Sequence, residues 1–241
     1  MAFGKSKKRV REDHHSIDID GRQVPLIVRR HPRARRIILR VNTAGEGAVV
    51  TIPAHVDPAD GLEMALRQSA WLGQRLDNMG ARTAFADGVR VPYLGQDYTV
   101  RHVPAARGTV WIEGEEIHVA GDARHLTRRL GDWMKKQARA EITPLAHDKA
   151  ARLNRSPSRI TIRDTRTRWG SCSFKGCLSF SWRLVMAPLA VLDYVVAHEV
   201  AHLEHMNHGP EFWLAVDTLT TDARAGRDWL NDNGSALHRI G

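Results

Sequence analysis

Five consecutive residues, His198-Glu199-Val200-Ala201-His202, bring two imidazoles and a carboxylate into one short stretch. On a helix, residues four apart share a face, so both rings can converge on a single cation. Imidazole nitrogen is a good donor to zinc, and a tetrahedral ion held by three protein groups keeps one position for water. Glu199 adjoins the first ring, where it can take a proton from that water. These residues therefore predict metal-assisted hydrolysis with one zinc ion. His198 and His202 are the expected metal ligands and Glu199 the expected catalytic base.

A third ligand is required. His205 lies on the same helical stripe, but 198 and 205 are separated by about 10 Å of helix rise, too far for both rings to reach one ion. His208 is better placed. Asn207 and Gly209 stop helices and Pro210 suits a first helical turn, so the chain is expected to turn there and swing His208 back. Glu211, Asp217 and Asp222 are carboxylate alternatives.

The elements that must position these groups follow from apolar spacing. Val191 to Ala197 is almost continuously apolar, as in a helix buried on all sides, and that helix is expected from about Pro188 to Met206. Upstream, a long helix is expected from about His125 to Leu153, with Leu126, Leu130, Trp133, Ala138, Ile142, Leu145 and Ala146 facing the core. Pro144 should kink or split it. Strands are expected at 159–163 and 177–182, flanking an irregular segment at 165–173. Before residue 122 the pattern is β-rich, interrupted by one helix over 57–79. The expected organisation is a basic flexible leader (1–15), a β-rich region (16–122) and a catalytic region (123–241). No internal repeat is visible. The expected fold class is α+β, with antiparallel β structure followed by a helical domain carrying a short sheet.

Composition narrows the functional classes. Two cysteines, Cys172 and Cys177, supply neither a disulfide framework nor a four-thiolate zinc site. The basic segment Met1–Asp13 is followed by no apolar stretch, so no signal peptide is expected. The longest apolar run, Ala187 to Ala197, contains Asp193 and is too short to span a bilayer. A cytoplasmic protein without a membrane partner is expected. The net charge of +9 favours acidic partners, and Arg29, Arg30, Arg33, Arg35, Arg36 and Arg40 cluster in the first strands. Nucleotide or nucleic acid is therefore a candidate partner beside a peptide or protein substrate.

Several blocks resemble a known family. They are Arg168-Trp169-Gly170-Ser171-Cys172-Ser173, Leu178-Ser179-Phe180-Ser181-Trp182-Arg183-Leu184, Ala187-Pro188 and Leu192-Asp193-Tyr194-Val195-Val196. His198-Glu199, His202-Leu203, Met206-Asn207-His208 and Phe212-Trp213 complete the set. Together they resemble the YgjP-like metallopeptidases, relatives of SprT-like and other zincin-like proteins, most closely over residues 160–215. The resemblance implies a zincin-like fold, three histidine ligands, a glutamate base and peptidase chemistry. The spacing of His198, His202 and His208 also matches the metzincin pattern. That pattern has Gly where His205 stands, and no methionine follows Met206.

In the first block, Gly170 permits a tight backbone path, and Trp169 has a large apolar body to bury. Arg166, Arg168 and Ser171 are candidates to face the substrate or a developing oxyanion. Hydrolysis of a peptide bond leads. Hydrolysis of a phosphoanhydride, with arginines near the motif attracting phosphates, is the alternative.

Overall fold

The computed structural model describes residues 10–42, 47–77, 82–165 and 167–241. The fold is α+β. The chain divides into two compact units, 1–80 and 81–241. None of the helices described is long and apolar enough to cross a membrane.

The first unit carries strands β1 (Arg11–Ile19), β2 (Arg22–His31), β3 (Ile38–Val41) and β4 (Ala48–Pro53). β1 thus begins inside the expected leader. The sheet order is β1-β2-β4-β3, with β2 and β4 parallel and the outer pairs antiparallel. Alternating Val24, Leu26 and Val28, with Val50 and Ile52, form the buried face. Helices α1 (Pro58–Arg67) and α2 (Ser69–Asp77) cover it through Ala65, Leu72 and Leu76. The single helix expected over 57–79 is broken at Gln68, whose backbone leaves the helical region. Leu66, near the end of α1, is 48% exposed.

The second unit opens with β5 (Arg90–Tyr93), β6 (Gln96–Val103), β7 (Val110–Glu113) and β8 (Glu116–Ala120). Their order, β5-β6-β8-β7, and their pairing senses repeat those of the first sheet. Each sheet is therefore mixed: the hairpins are antiparallel as expected, and a parallel pair sits at the centre. The parallel pair follows from topology. The third strand crosses to the far edge, and its hairpin partner returns into the gap.

Helix α3 (Leu126–Arg152) runs without interruption through Pro144. Pro144 is exposed, so its ring and the carbonyl that loses a partner both lie towards water. The buried stripe is Leu130, Met134, Ala138, Ile142, Ala146 and Ala150, while Trp133 and Leu145 are only half-buried. The small sheet β10-β11-β9 comprises β9 (Arg159–Arg163), β10 (Gly170–Cys172) and β11 (Cys177–Ser181). Helices α4 (Leu189–Ala201), α5 (Pro210–Leu219) and α6 (Ala223–Leu237) complete the unit.

Val91, Val100, Ile117 and Val119 of the second sheet share one core with α3, α4 and β11. The compact units accordingly divide at 80/81 rather than at 122/123. The change in composition marks a change of secondary structure inside one core, not a boundary between cores.

Two features fix α4. The hairpin turn Leu94-Gly95 has φ of 49° and 83°, and it seats against the start of the helix. Leu94 N–H donates to Val185 O at 2.7 Å, and a Cβ on Gly95 would lie 2.9 Å from Pro188 Cα. Only glycine fits both the backbone angle and the approach. Farther along, Asp193 of α4 pairs with the buried Lys149 of α3 at 2.7 Å and accepts from Thr220 Oγ1 at 2.6 Å. Lys149 Nζ also donates to Leu219 O. This node ties α3, α4 and the end of α5 together five residues before His198.

Candidate metal centre

α4 is buried on nearly every side, as its continuous apolar run predicts. It ends at Ala201, earlier than the expected 206, and His202 is its C-cap. The chain then turns through 203–209 before Pro210 starts α5. The earlier turn frees the whole segment to fold back, bringing His208 over the helix end.

The result is convergence. One nitrogen each from His198, His202 and His208 lie within 4.8 Å of one another. His208 Nε2 is 3.2 Å from His198 Nε2. Two nitrogens bound at about 2.0–2.1 Å to one tetrahedral ion would lie roughly 3.3 Å apart, so the spacing fits a shared cation. The protonation chemistry fits too. Burial, followed by the neighbouring His202 and His208, pushes His198 down to about 4. Burial also lowers His202. Both rings are thus held neutral, the form that has a lone pair for a metal.

His202 Nδ1 is 2.9 Å from His205 O. Donation to that carbonyl puts the proton on Nδ1 and directs the Nε2 lone pair at the cluster. His205 therefore contributes through its backbone. Its ring lies 3.8 Å from Glu211 instead. Phe212 stacks on His202 with centroids 4.5 Å apart, and Trp213 lies 5.9 Å from His198 and 6.0 Å from His208. The first turn of α5 thereby limits how the three rings can rotate. None of the carboxylate alternatives joins the cluster. Glu211 faces His205, Asp222 caps α6 by accepting from Ala225 N–H, and Asp217 is outside the set.

Glu199 is 7% exposed, and burial raises its carboxyl to about 7. Two opposing influences act on it: the charge of Arg168 and a hydrogen bond from the Cys172 backbone N–H. Its side chain lies directly over Gly170, where a Cβ would stand 2.4 Å from Glu199 Cγ and 2.6 Å from Oε1. Gly170 is thus a glycine because of Glu199. Its sequence signal was only a glycine inside an aromatic block, in a segment expected to be irregular.

The remaining sequence candidates separate. Arg168 is exposed and near enough to Glu199 to favour its ionised form. Ser171 alternates with Gly170 and Cys172 along β10, so its side chain takes the opposite face from the one that meets Glu199. Arg166 lies outside the described residues. Cys172 is pushed up to about 11, first by burial and then by Glu199, so it stays a thiol. Neither cysteine belongs to the histidine cluster.

β10 is an edge strand of its small sheet. Trp169 O accepts from Ser181 N–H and Ser173 N–H donates to Cys177 O, so these alternate residues pair inward with β11. Backbone groups of Gly170 and Cys172 therefore face away from β11, with the Cys172 N–H taken by Glu199.

A crystal structure of the metallopeptidase zymogen abylysin from Pyrococcus abyssi is similar over 39% of this chain and 92% of that one. Identity is 21% and the TM-score 0.34, a likeness too distant to bear on the site. No curated protein matches in sequence. The family described as YgjP-like, metallopeptidase domain, matches residues 35–233, a span that takes in the three histidines, Glu199 and β10. The chain belongs to the YgjP-like metallopeptidase family.

Proposed function

We propose that this protein is a zinc-dependent peptidase in which His198, His202 and His208 hold one ion and Glu199 is the general base. The observation that carries the reading is the convergence of three imidazole nitrogens within 4.8 Å beside a desolvated carboxylate. When bound, zinc supplies an acidified water and a Lewis acid for the scissile carbonyl.

The chain's own groups supply the rest. Glu199 takes the water's proton and returns it to the leaving amine. A carboxyl raised to about 7 is matched to both transfers near neutral pH. The Cys172 N–H and the absence of a Cβ on Gly170 hold that carboxylate in place. Arg168 offers donors beside it for the charge that develops on the substrate. An extended peptide pairing with the remaining outward backbone groups of β10 would lay its backbone alongside Glu199.

The test is Glu199→Gln, scored for zinc content and for cleavage of unstructured protein. Zinc should stay stoichiometric while turnover falls by about 10²-fold or more. Wild-type cleavage by this variant would remove Glu199 from the role. Phosphate release from nucleoside triphosphates, assayed in parallel with the wild type, should be absent if the peptide reading holds.

A further inference from the structure

Two cavities lie one after the other along the outer face of α3. The first, about 580 Å³, is lined by Tyr93, Ile112, Arg128, Trp133 and Lys136 among others. The second, about 500 Å³, is lined by Arg139, Thr143, His147, Ser158 and Arg159 among others. Positions 128, 132, 136, 139, 143 and 147 recur every three or four residues, so both cavities open on one face. From 128 to 147 the face runs about 28 Å.

Charge on this face is one-sided. Among the described residues, Arg128, Arg129, Lys136, Arg139 and Arg159 line the two cavities, against Asp132 alone. Arg128 pairs with Asp132 at 3.3 Å and Arg129 donates to Ala120 O. Lys136, Arg139 and Arg159 have no ion pair among the described residues. A face of this kind is complementary to a polyanion.

The first cavity adds flat apolar surface. Trp133 and Tyr93 are half-buried, with ring centroids 5.2 Å apart, and Ile112 is 37% exposed on the bordering edge strand β7. Trp111 lines the same cavity from β7, its ring stacked on His118 at 5.2 Å. The first unit has a counterpart between its own edge strand β3 and its helices. There Arg36, Leu39 and the 44% exposed Trp71 line a cavity of about 430 Å³. The repeated sheet topology therefore carries a repeated groove: edge strand, helix, half-exposed tryptophan and arginine.

We propose that the α3 face is a binding site for single-stranded nucleic acid. Phosphates would lie along Arg128, Lys136, Arg139 and Arg159, and a base would stack at Trp133. Single-strand sites combine a cationic groove with aromatic platforms and occupy about 4–16 nucleotides, which the length of this face accommodates. The assignment is independent of the metal centre. It also departs from the N-terminal arginine cluster, where Arg29 is paired with Glu12 at 2.7 Å and Arg30 donates to Val56 O.

The test is fluorescence anisotropy of labelled dT12 with the full chain in a salt series. Arg128→Gln with Lys136→Gln should weaken binding at least ten-fold at about 50 mM salt. The double variant should also flatten the log-log salt slope by about 1.4, two phosphate contacts on a single strand. Trp133→Leu keeps apolar bulk but loses the stacking face, and should weaken binding about 5- to 150-fold. Arg224→Gln, at a residue lining neither cavity, should bind as wild type. Unchanged affinity in both the charge and the Trp133 variants would overturn the proposal. Equal or tighter binding of poly-glutamate would overturn it by assigning the groove to acidic protein segments. A preference for duplex of the same length would overturn the single-strand assignment.

Discussion

Gly170→Ala adds one methyl group 29 residues from Glu199 in sequence, and it should disable the enzyme. The added Cβ would stand 2.4 Å from Glu199 Cγ, 2.6 Å from Oε1 and 2.7 Å from Cδ. Ordinary carbon–carbon contact begins near 3.5 Å, so the carboxylate must retreat by about 1 Å. It cannot retreat freely, because it is 7% exposed on a helix packed all round. A 1 Å displacement of a reacting group is worth about 10² in rate, and the Cys172 hydrogen bond is strained as well. Overpacking of this kind costs about 1–3 kcal/mol of stability, or roughly 2–12 °C in Tm for a chain of this size. The assay is kcat on a peptide the wild type cleaves, with zinc stoichiometry and Tm measured beside it. The expected outcome is retained zinc, a modest drop in Tm and about a 100-fold loss in kcat. Gly170→Ala combined with Glu199→Gln should be no slower than Glu199→Gln alone, since both act on one group. Gly170→Ala within three-fold of wild-type kcat would refute the positioning argument.

Three further outcomes follow from the burial of charged groups. In metal-free protein, Glu199 is raised from 4.5 to about 7, so its ionisation opposes folding progressively as pH rises through that window. Glu199→Gln should therefore match wild-type stability near pH 4 and exceed it by about 3 kcal/mol at pH 8, read by denaturant melts in chelator. His198 acts with the opposite sign. Lowered from 6.5 to about 4, it contributes stability above pH 6.5 that is lost as pH falls through 4, so metal-free Glu199→Gln should weaken on acidification across that window. Lys149→Ala removes the ion partner of the part-exposed Asp193 and leaves Leu219 O without its donor, and should cost about 1–3 kcal/mol in the same melts.

The clustering of the three histidines was legible because its information is local. Helical spacing pairs His198 with His202, and the Asn207, Gly209 and Pro210 signals return His208 to them. The environment of Glu199 was not legible, because it depends on a contact between distant segments. Gly170-Ser171-Cys172 has no alternating pattern, so nothing in it announced a strand, and β10 exists only through its pairing with β11. Strand periodicity likewise states which face is buried but not which neighbour is taken. The parallel β2–β4 and β6–β8 pairs, and the repetition they reveal, were therefore hidden. Asp193 was noticed only as an interruption in an apolar run. A carboxylate in such a run signals a buried cationic partner, and Lys149 supplies it. Pro144 does not split α3, since a proline on the exposed side leaves the core-facing stripe of a long helix intact.

In the proposed function His198, His202 and His208 form one metal site. Zinc content of the purified protein, with His208→Ala and His205→Ala beside it, tests that claim most directly. The account predicts one zinc per wild-type chain and loss of stoichiometric zinc in His208→Ala. It predicts retention in His205→Ala, where the carbonyl that orients His202 remains. Stoichiometric zinc in His208→Ala, or no zinc in the wild type after loading, would contradict it.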